Sequence, residues 1–400
     1  GTPSRKNPDY YGGYIPWIKT GELEDGYIFD SEEKITEDAV AHSSAKLFPI
    51  DSVLIAMYGA TIGKTAILGI PATTNQACAC ARCRDVLNNK YLFYYLRSQK
   101  DTFIAKGKGG AQPNISQDII RNHMIPLPPL AEQKRIVEQI ESLFSKLDEA
   151  KEKAQEVIDG YEARNAAVYN DAFSGRLTTQ WRKDNYKENK WETKRFDEVA
   201  DIKSNLVEPS NYLEFPHIAP DNIEKRTGIL LDYHTIAEDG VKSGKHRFYA
   251  GQILYSKIRP YLSKVVMVDF DGLCSADMYP IEAKENTKYL LYYMLSDMFL
   301  EQASSAGSRS VLPKINQKEL SAIKVRITSD EEQKEVVRIL DYLLPMMQQV
   351  RDKAVRVVDN IDAIKKSILT KAFRGKLGTN IPEDESAMEL LKIILNKGEC

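Results

Sequence analysis

Cysteine is scarce in this chain of 400 residues, and the five present are unevenly placed. They offer no disulfide framework and fit a reducing cytoplasm. Histidine is as rare, and His42, His123, His217, His234 and His246 form no spaced cluster for a metal. No apolar run reaches the roughly 20 residues of a membrane span, and no signal peptide opens the chain. Neither sign of charge dominates: 55 Lys and Arg stand against 57 Asp and Glu, for a net charge of −2. Bulk attraction to polyanions is thereby excluded, and any basic surface must be a local patch. By region, residues 1–130 and 181–329 each carry about +1 and residues 131–180 about −3, so the acidity belongs to one segment.

Three stretches approach a chemical motif and fall short. Gly59–Thr65 (GATIGKT) has one residue too few between its glycines for a phosphate-cradling P-loop. The next residues, AILGI, read as a strand rather than a helix whose N-terminus could face phosphate. Asn7-Pro-Asp-Tyr10 resembles the NPPY motif by which adenine methyltransferases hold a flipped base, but Asp9 replaces a proline and no glycine-rich cofactor loop succeeds a strand nearby. It reads as a surface turn. Cys78, Cys80 and Cys83 lack a nearby fourth zinc ligand, and strand alternation puts Cys78 and Cys80 on one face as small hydrophobes. No nucleophile–base pair and no dinucleotide fingerprint occurs, so the chain reads as non-catalytic.

The chain does have size, helical periodicity and repetition. Hydrophobic content of 42% and charged content of 28% are those of a soluble globular protein, and the length calls for two or more domains. Leu130–Leu177 reads as one long helix whose seam residues, Ile136, Ile140, Leu143, Leu147, Ala150, Ala154, Val157, Tyr161 and Val168, alternate steps of four and three. A rod of about 60 Å cannot hide such a seam alone. Its partner lies about 200 residues on. Glu332–Leu377 carries Val336, Leu340, Leu343, Met347, Val350, Ala354, Val357, Ile361, Ile364 and Ile368 at matching positions, and AFSGRL (Ala172–Leu177) is answered by AFRGKL (Ala372–Leu377). Pro345 should bend the second helix.

The globular parts repeat as well. Residues 1–130 show strand-like runs at Tyr14–Lys19, Val53–Met57, Thr65–Ile70 and Ala77–Ala81, then a short helix, Lys90–Ser98. In residues 179–329, Pro216–Ile218 answers Pro16–Ile18, Leu254–Pro260 answers Leu54–Ala60, and KYLLYYM (Lys288–Met294) answers KYLFYYL (Lys90–Leu96). Trp191–Ile202 reads as an opening strand without a counterpart in the first half, which is expected to be missing about ten or more residues at its start. The expected architecture is α+β: two globular mixed α/β domains at opposite ends of an antiparallel two-helix coiled coil, an internal repeat with a pseudo-twofold axis. Its segments are domain 1–130, helix 131–178, domain 179–329, helix 330–377, and a tail, 378–400, containing a short amphipathic helix at Ala387–Asn396.

Between matched landmarks the loops diverge, as in two readers of different things. They carry side chains suited to base edges and phosphates. In the first half these are Lys19, Thr20, Lys64, Thr65, Asn75, Gln76, Lys106, Lys108 and Gln112. The second half offers Asn222, His246, Arg247, Ser256, Lys257, Arg259, Tyr261, Lys264, Ser308, Arg309 and Ser310. Lys64 and Lys264 occupy equivalent places.

The order GGYIPWIKTGEL, GATIGK, NQ, QPNIS, PLPPLAEQKRIV, AFSGRL resembles the specificity subunit of type I restriction–modification enzymes, over nearly the whole chain and in both copies. The resemblance implies two target recognition domains, each reading half of a bipartite double-stranded DNA sequence, with two helices setting the spacing. It implies docking of two methyltransferase subunits, motor–nuclease subunits in the full complex, and no binding of S-adenosylmethionine or ATP by this chain. Thr328-Ser-Asp330 replaces the usual proline-rich lead-in to the second helix. A scaffold whose twin domains bind proteins, and an enzyme with an unrecognised site, are the alternatives from other classes. A steep salt dependence of DNA affinity would separate the first, and turnover by the purified chain the second.

Overall fold

The computed structural model describes residues 1–83, 85–107, 113–188, 190–306, 313–384 and 386–396. They fall into two units, one formed by 1–154 with 356–400 and the other by 155–355. Among the described residues no helix is long and apolar enough to cross a membrane.

In the first unit the strands are β1 (Tyr11–Ile18), β2 (Tyr27–Ile28), β3 (Lys34–Ile35), β4 (Val53–Ala56), β5 (Thr65–Leu68), β6 (Thr73–Thr74) and β7 (Cys78–Ala81). They form two sheets, ordered β3-β1-β6 and β2-β5-β4-β7. Strand alternation sends Val53 and Ile55 of β4 toward the helices and Leu54 and Ala56 toward a second layer, so β4 is buried on both faces. On the helical side they meet Tyr91, Leu92, Phe93 and Leu96 of helix Asn89–Ser98, which Asn88 caps through Tyr91 N. Ile136, Val137, Ile140 and Phe144 of the first long helix complete that core together with Leu369 and Ala372 of the second.

The second unit repeats this plan. Its strands are β8 (Glu192–Arg195), β9 (Ala200–Ile202), β10 (Leu206–Val207), β11 (Pro216–Ile218), β12 (His234–Thr235), β13 (Lys245–Phe248), β14 (Ile253–Ser256), β15 (Val265–Met267), β16 (Gly272–Cys274), β17 (Met278–Ala283) and β18 (Lys324–Ile327). The sheets run β10-β13-β16-β11-β12, β15-β14-β17-β9 and β18-β8. Trp191–Ile202 is therefore not one strand. Phe196 and Val199 turn inward on a short helix between β8 and β9, and the two strands join different sheets.

The repeat extends to individual bonds. The Trp17↔Thr73 pairing of β1 with β6 has its parallel equivalent in His217↔Leu273 of β11 and β16. Ala56 N bonds Lys64 O at 2.9 Å, and Ser256 N bonds Lys264 O at 2.9 Å. Gln133 Oε1 accepts from Asn88 N at 2.9 Å while its Nε2 donates to Pro128 O, and Gln333 does the same with Asn286 N and Thr328 O. The buried Phe173 meets Tyr289 and Tyr293 edge-on, and Phe373 meets Tyr91 and Tyr95. The phrase AFxGxL is thus the residue set that brings the end of each long helix onto the tyrosine helix of a unit.

The two long helices run antiparallel. In the first unit Asp148 pairs with Lys365, and Arg135 with Asp384 in the segment after the second helix, so one number rises as the other falls. In the second, Tyr161 bonds Gln348, and Thr178, just past the end of the first helix, bonds Glu332, with the same sense. The first helix is not continuous to Leu177: it runs Leu130–Asp159, pauses at Gly160 and resumes as Tyr161–Phe173. Glycine is a weak helix former, and here the Arg164 side chain folds back to the Val157 carbonyl through the place a Cβ would fill. The second helix, Asp330–Ala372, passes Pro345 unbroken. The seam is narrower than the spacing implied. Ala354 and Ile361 are buried, but Val350, Val357 and Ile364 are exposed, because a single partner helix covers only a narrow strip.

Cys78, Cys80, Cys83 and Cys274 are free thiols that burial pushes up to about 12, 11, 11 and 12 respectively, the behaviour of inert small hydrophobes. Asn7–Tyr10 is a capped surface turn, with Asn7 Oδ1 accepting from Asp9 N. Gly59–Thr61 is a single tight turn leading into β5.

Candidate nucleic-acid interface

The divergent loops and strand ends of both units carry the polar side chains singled out above, and their bonds separate exposed groups from those committed to the fold. In the first unit Thr65 is wholly buried, and Asp25 Oδ1 accepts from both its hydroxyl (3.0 Å) and its amide (3.1 Å). It holds a turn and has no reach to a ligand. Lys19 bridges Glu32 and Glu33 at 3.0 and 3.1 Å, and those bonds raise its pKa. Thr20 begins the turn Thr20–Glu22. Lys64 is half-buried after the Gly59–Thr61 turn, Asn75 half-buried with an unpartnered Oδ1, and Gln76 exposed beside Thr2. Lys106 is exposed at the end of helix Lys100–Lys106. Lys108 and Gln112 lie outside the described residues.

In the second unit Ser256 is buried, with its hydroxyl given to Ile258 O, so it too serves the fold. Residue type alone makes Thr65 and Ser256 candidate ligands, since Ser and Thr suit phosphates; fully buried strands give them no outward face. Asn222 ties its own turn together, accepting from Ala219 N and donating to Asp232 O. Lys264 reaches Pro220 O at 2.6 Å and Asp221 at 3.4 Å, Arg259 and Tyr261 flank Pro260 exposed, and Lys257 donates to Ala276 O and lies 5.3 Å over the Tyr279 ring. His246 points into the core beside Ile218 and Cys274. Burial, then the neighbouring Lys257, lowers its pKa, so it is held as the neutral imidazole. Ser308, Arg309 and Ser310 lie outside the described residues.

Arg247 differs from all of these. Its guanidinium carbon sits 4.9 Å from the Tyr249 ring, 5.4 Å from Tyr212 and 5.9 Å from Phe215. Its Nε is buried without a hydrogen-bond partner. Cross-strand register places His217, Leu273 and Arg247 in one row of the five-stranded sheet.

Residues 1–158 and 188–352 both match the type I restriction modification DNA specificity domain, so the match is duplicated as the fold is. The chain belongs to this family. Among its relatives is the EcoDI specificity subunit of Escherichia coli, a type I restriction enzyme subunit, 38% identical in a match that covers 73% of this chain and 71% of that one. The MjaIX specificity subunit of Methanocaldococcus jannaschii is 26% identical over 94% of this chain and 90% of its own. In fold, the crystal structure of the HsdS subunit from Thermoanaerobacter tengcongensis superposes with a TM-score of 0.69 at 20% identity, covering 93% of this chain and 92% of that one.

Within this specificity-domain family member, reading the sequence alone missed the aromatic surroundings of Arg247 and the buried His217, whose Nδ1 lies 2.7 Å from Asp239. Asp239 in turn meets His234 at 3.1 Å, and its bond to His217 lowers its pKa despite desolvation. A signal was available in KHRFY (Lys245–Tyr249). Period-two alternation puts Lys245, Arg247 and Tyr249 on one face and His246 and Phe248 on the other.

Proposed function

We propose that this chain is the DNA sequence-specificity subunit of a type I restriction–modification complex, without catalytic activity of its own. Each unit reads one half of a bipartite double-stranded target. The paired helices set the spacing and dock two methyltransferase subunits, with motor–nuclease subunits joining the full assembly. As a partner of DNA it works in the cytoplasm. The duplicated family match carries this reading, and the bond-for-bond repeat with divergent loops supports it, since one scaffold built twice with different polar loops is what two independent half-site readers require.

The recognition domains are taken as 1–130 and 179–329, the helices as 131–178 and 330–377. The DNA-contacting set is Lys19, Thr20, Lys64, Asn75, Gln76, Lys106, Lys108 and Gln112 in the first domain, and Asn222, Arg247, Lys257, Arg259, Tyr261, Lys264, Ser308, Arg309 and Ser310 in the second, with Thr65, His246 and Ser256 set aside as buried. The test exchanges residues 179–329 for the same segment of a relative and maps methylation with the methyltransferase subunits present. One half-site should change while the other and the spacer stay. If both halves changed together, the modular reading would be wrong.

A further inference from the structure

We infer that Arg247 reads a guanine edge in the half-site bound by the second unit, presented from a clamp of three aromatic rings. The inference rests on the reading of that unit as a half-site reader and names the residue and base chemistry within it.

The first observation is the clamp. Tyr249, Tyr212 and Phe215 all approach the Arg247 guanidinium within 6 Å. Arginine stacks on ring faces, and stacking fixes the plane of its fork. The rings come from Tyr249, just after β13, and from the loop before β11, so two separate segments set that plane. The second observation is the missing counter-charge. Among the described residues no carboxylate lies within ion-pair distance of Arg247. Its Nη1 reaches the Tyr212 hydroxyl only at the long limit of 3.5 Å. The comparable stacked arginine of the first unit, Arg5 over Tyr11 and Trp17, is neutralised by Glu33 at 2.7 Å. With Nε of Arg247 buried, the two Nη groups remain to meet a partner, side by side in one plane.

The third observation is the company on that face. Lys245, two residues back on β13, is almost fully buried, and its ammonium is bonded to the Ser243 carbonyl (3.0 Å) and hydroxyl (2.7 Å) rather than to a carboxylate. His217 lies in the same cross-strand row, with Nε2 unpartnered. In the major groove guanine presents two acceptors, N7 and O6, whereas cytosine presents a donor and adenine a donor beside an acceptor. A planar pair of donors with no carboxylate beside it matches guanine and leaves the amino groups of the other two unmet. A phosphate also offers two oxygens to such a fork, but a phosphate contact carries no sequence information, so base selection separates the two partners.

The test compares wild type, Arg247→Lys and Tyr249→Ala, each assembled with methyltransferase subunits, by selection from a duplex library randomised in both half-sites. Thermal melting checks that each variant folds. Arg247→Lys keeps the charge and should relax the preference for guanine at one position of the second half-site by about 5- to 150-fold, with the first half-site unchanged. Tyr249→Ala should relax the same position by a smaller factor. An even loss of affinity across all sequences would assign a phosphate contact and overturn the inference, as would unchanged selection by Arg247→Lys. Wild type showing no preference in either half would instead overturn the half-site reading itself.

Discussion

Both units fasten the segment after AFxGxL onto the start of the opposite long helix, and they do so with the charges reversed. In the second unit the helix supplies the acid. Glu332, 1% exposed, accepts from Thr178 (2.5 Å), Thr328 (2.7 Å) and Trp191 (2.9 Å), and pairs with Arg182. In the first unit the helix supplies the base: Arg135 donates to the Thr379 carbonyl at 3.0 Å and pairs with Asp384. Glu132, the counterpart of Glu332, is buried too, but Gly378, Pro382 and Pro128 stand at the positions equivalent to Thr178, Arg182 and Thr328. The fastening is a property of the architecture, and the residues that make it are interchangeable in sign.

The largest break in this comparison should come from the aromatic anchors. Phe173→Ala should destabilise the second unit by about 3–5 kcal/mol, and Phe373→Ala the first by less, because Phe173 is fully buried and Phe373 half-buried. Hydrogen exchange resolved by unit would show the two losses separately; equal losses would mean that burial does not set the difference. Next, Glu332→Ala should cost on the order of 3 kcal/mol by stranding Arg182, against under about 1 kcal/mol for Glu132→Ala. Urea unfolding of both variants measures that gap.

Acid should sharpen the same contrast. Desolvation alone would raise the Glu332 pKa, but Thr178, Thr328, Trp191 and Arg182 together hold it below the ordinary 4.5. A depressed carboxylate contributes stability above its ordinary pKa and loses it as pH falls through the folded value. The stability difference between wild type and Glu332→Gln should therefore be full at neutral pH and shrink below about pH 4.5. A pH-independent difference would mean the carboxylate is not the hub. The smallest effect concerns the stacked arginines. Glu33→Gln should change stability by no more than about 0.5 kcal/mol, because the Arg5–Glu33 pair is partly exposed. It would leave Arg5 as unpaired as Arg247, and low-salt DNA affinity should rise about two- to fivefold. No rise would place Arg5 away from the DNA.

The long helices, the repeat and the strands β1, β4, β5 and β7 of the first unit were legible in the sequence because each rests on a period that local residues carry, whereas two-residue strands such as β2, β3 and β6 are too short to show one. Gln133 and Gln333, or Phe173 and Phe373, announce themselves by recurring. The pause at Gly160 was not legible, because a lone glycine in a strong helical pattern does not show which side chain will fold back across it. The exposure of Val350, Val357 and Ile364 depends on how wide a strip one partner covers, which spacing does not encode. In the candidate interface the residue types were read correctly as polar, but Thr65 and Ser256 sit in strands buried on both sides. The Arg247 clamp draws Tyr212 and Phe215 from more than thirty residues away, beyond the range of any local pattern.

The second unit is one continuous piece of chain, whereas the first is assembled from residues 1–154 and 356–400. During synthesis this inverts the usual order, in which the N-terminal part folds first. Leu369 and Ala372, which close the first core, emerge from the ribosome on the order of 10–40 s after Ala154 at 5–20 residues per second. The second unit can fold while Ile136, Ile140 and Phe144 still wait for their partners. For that interval the first unit is the unfinished one, with an open apolar surface that a chaperone or a neighbouring nascent chain can reach.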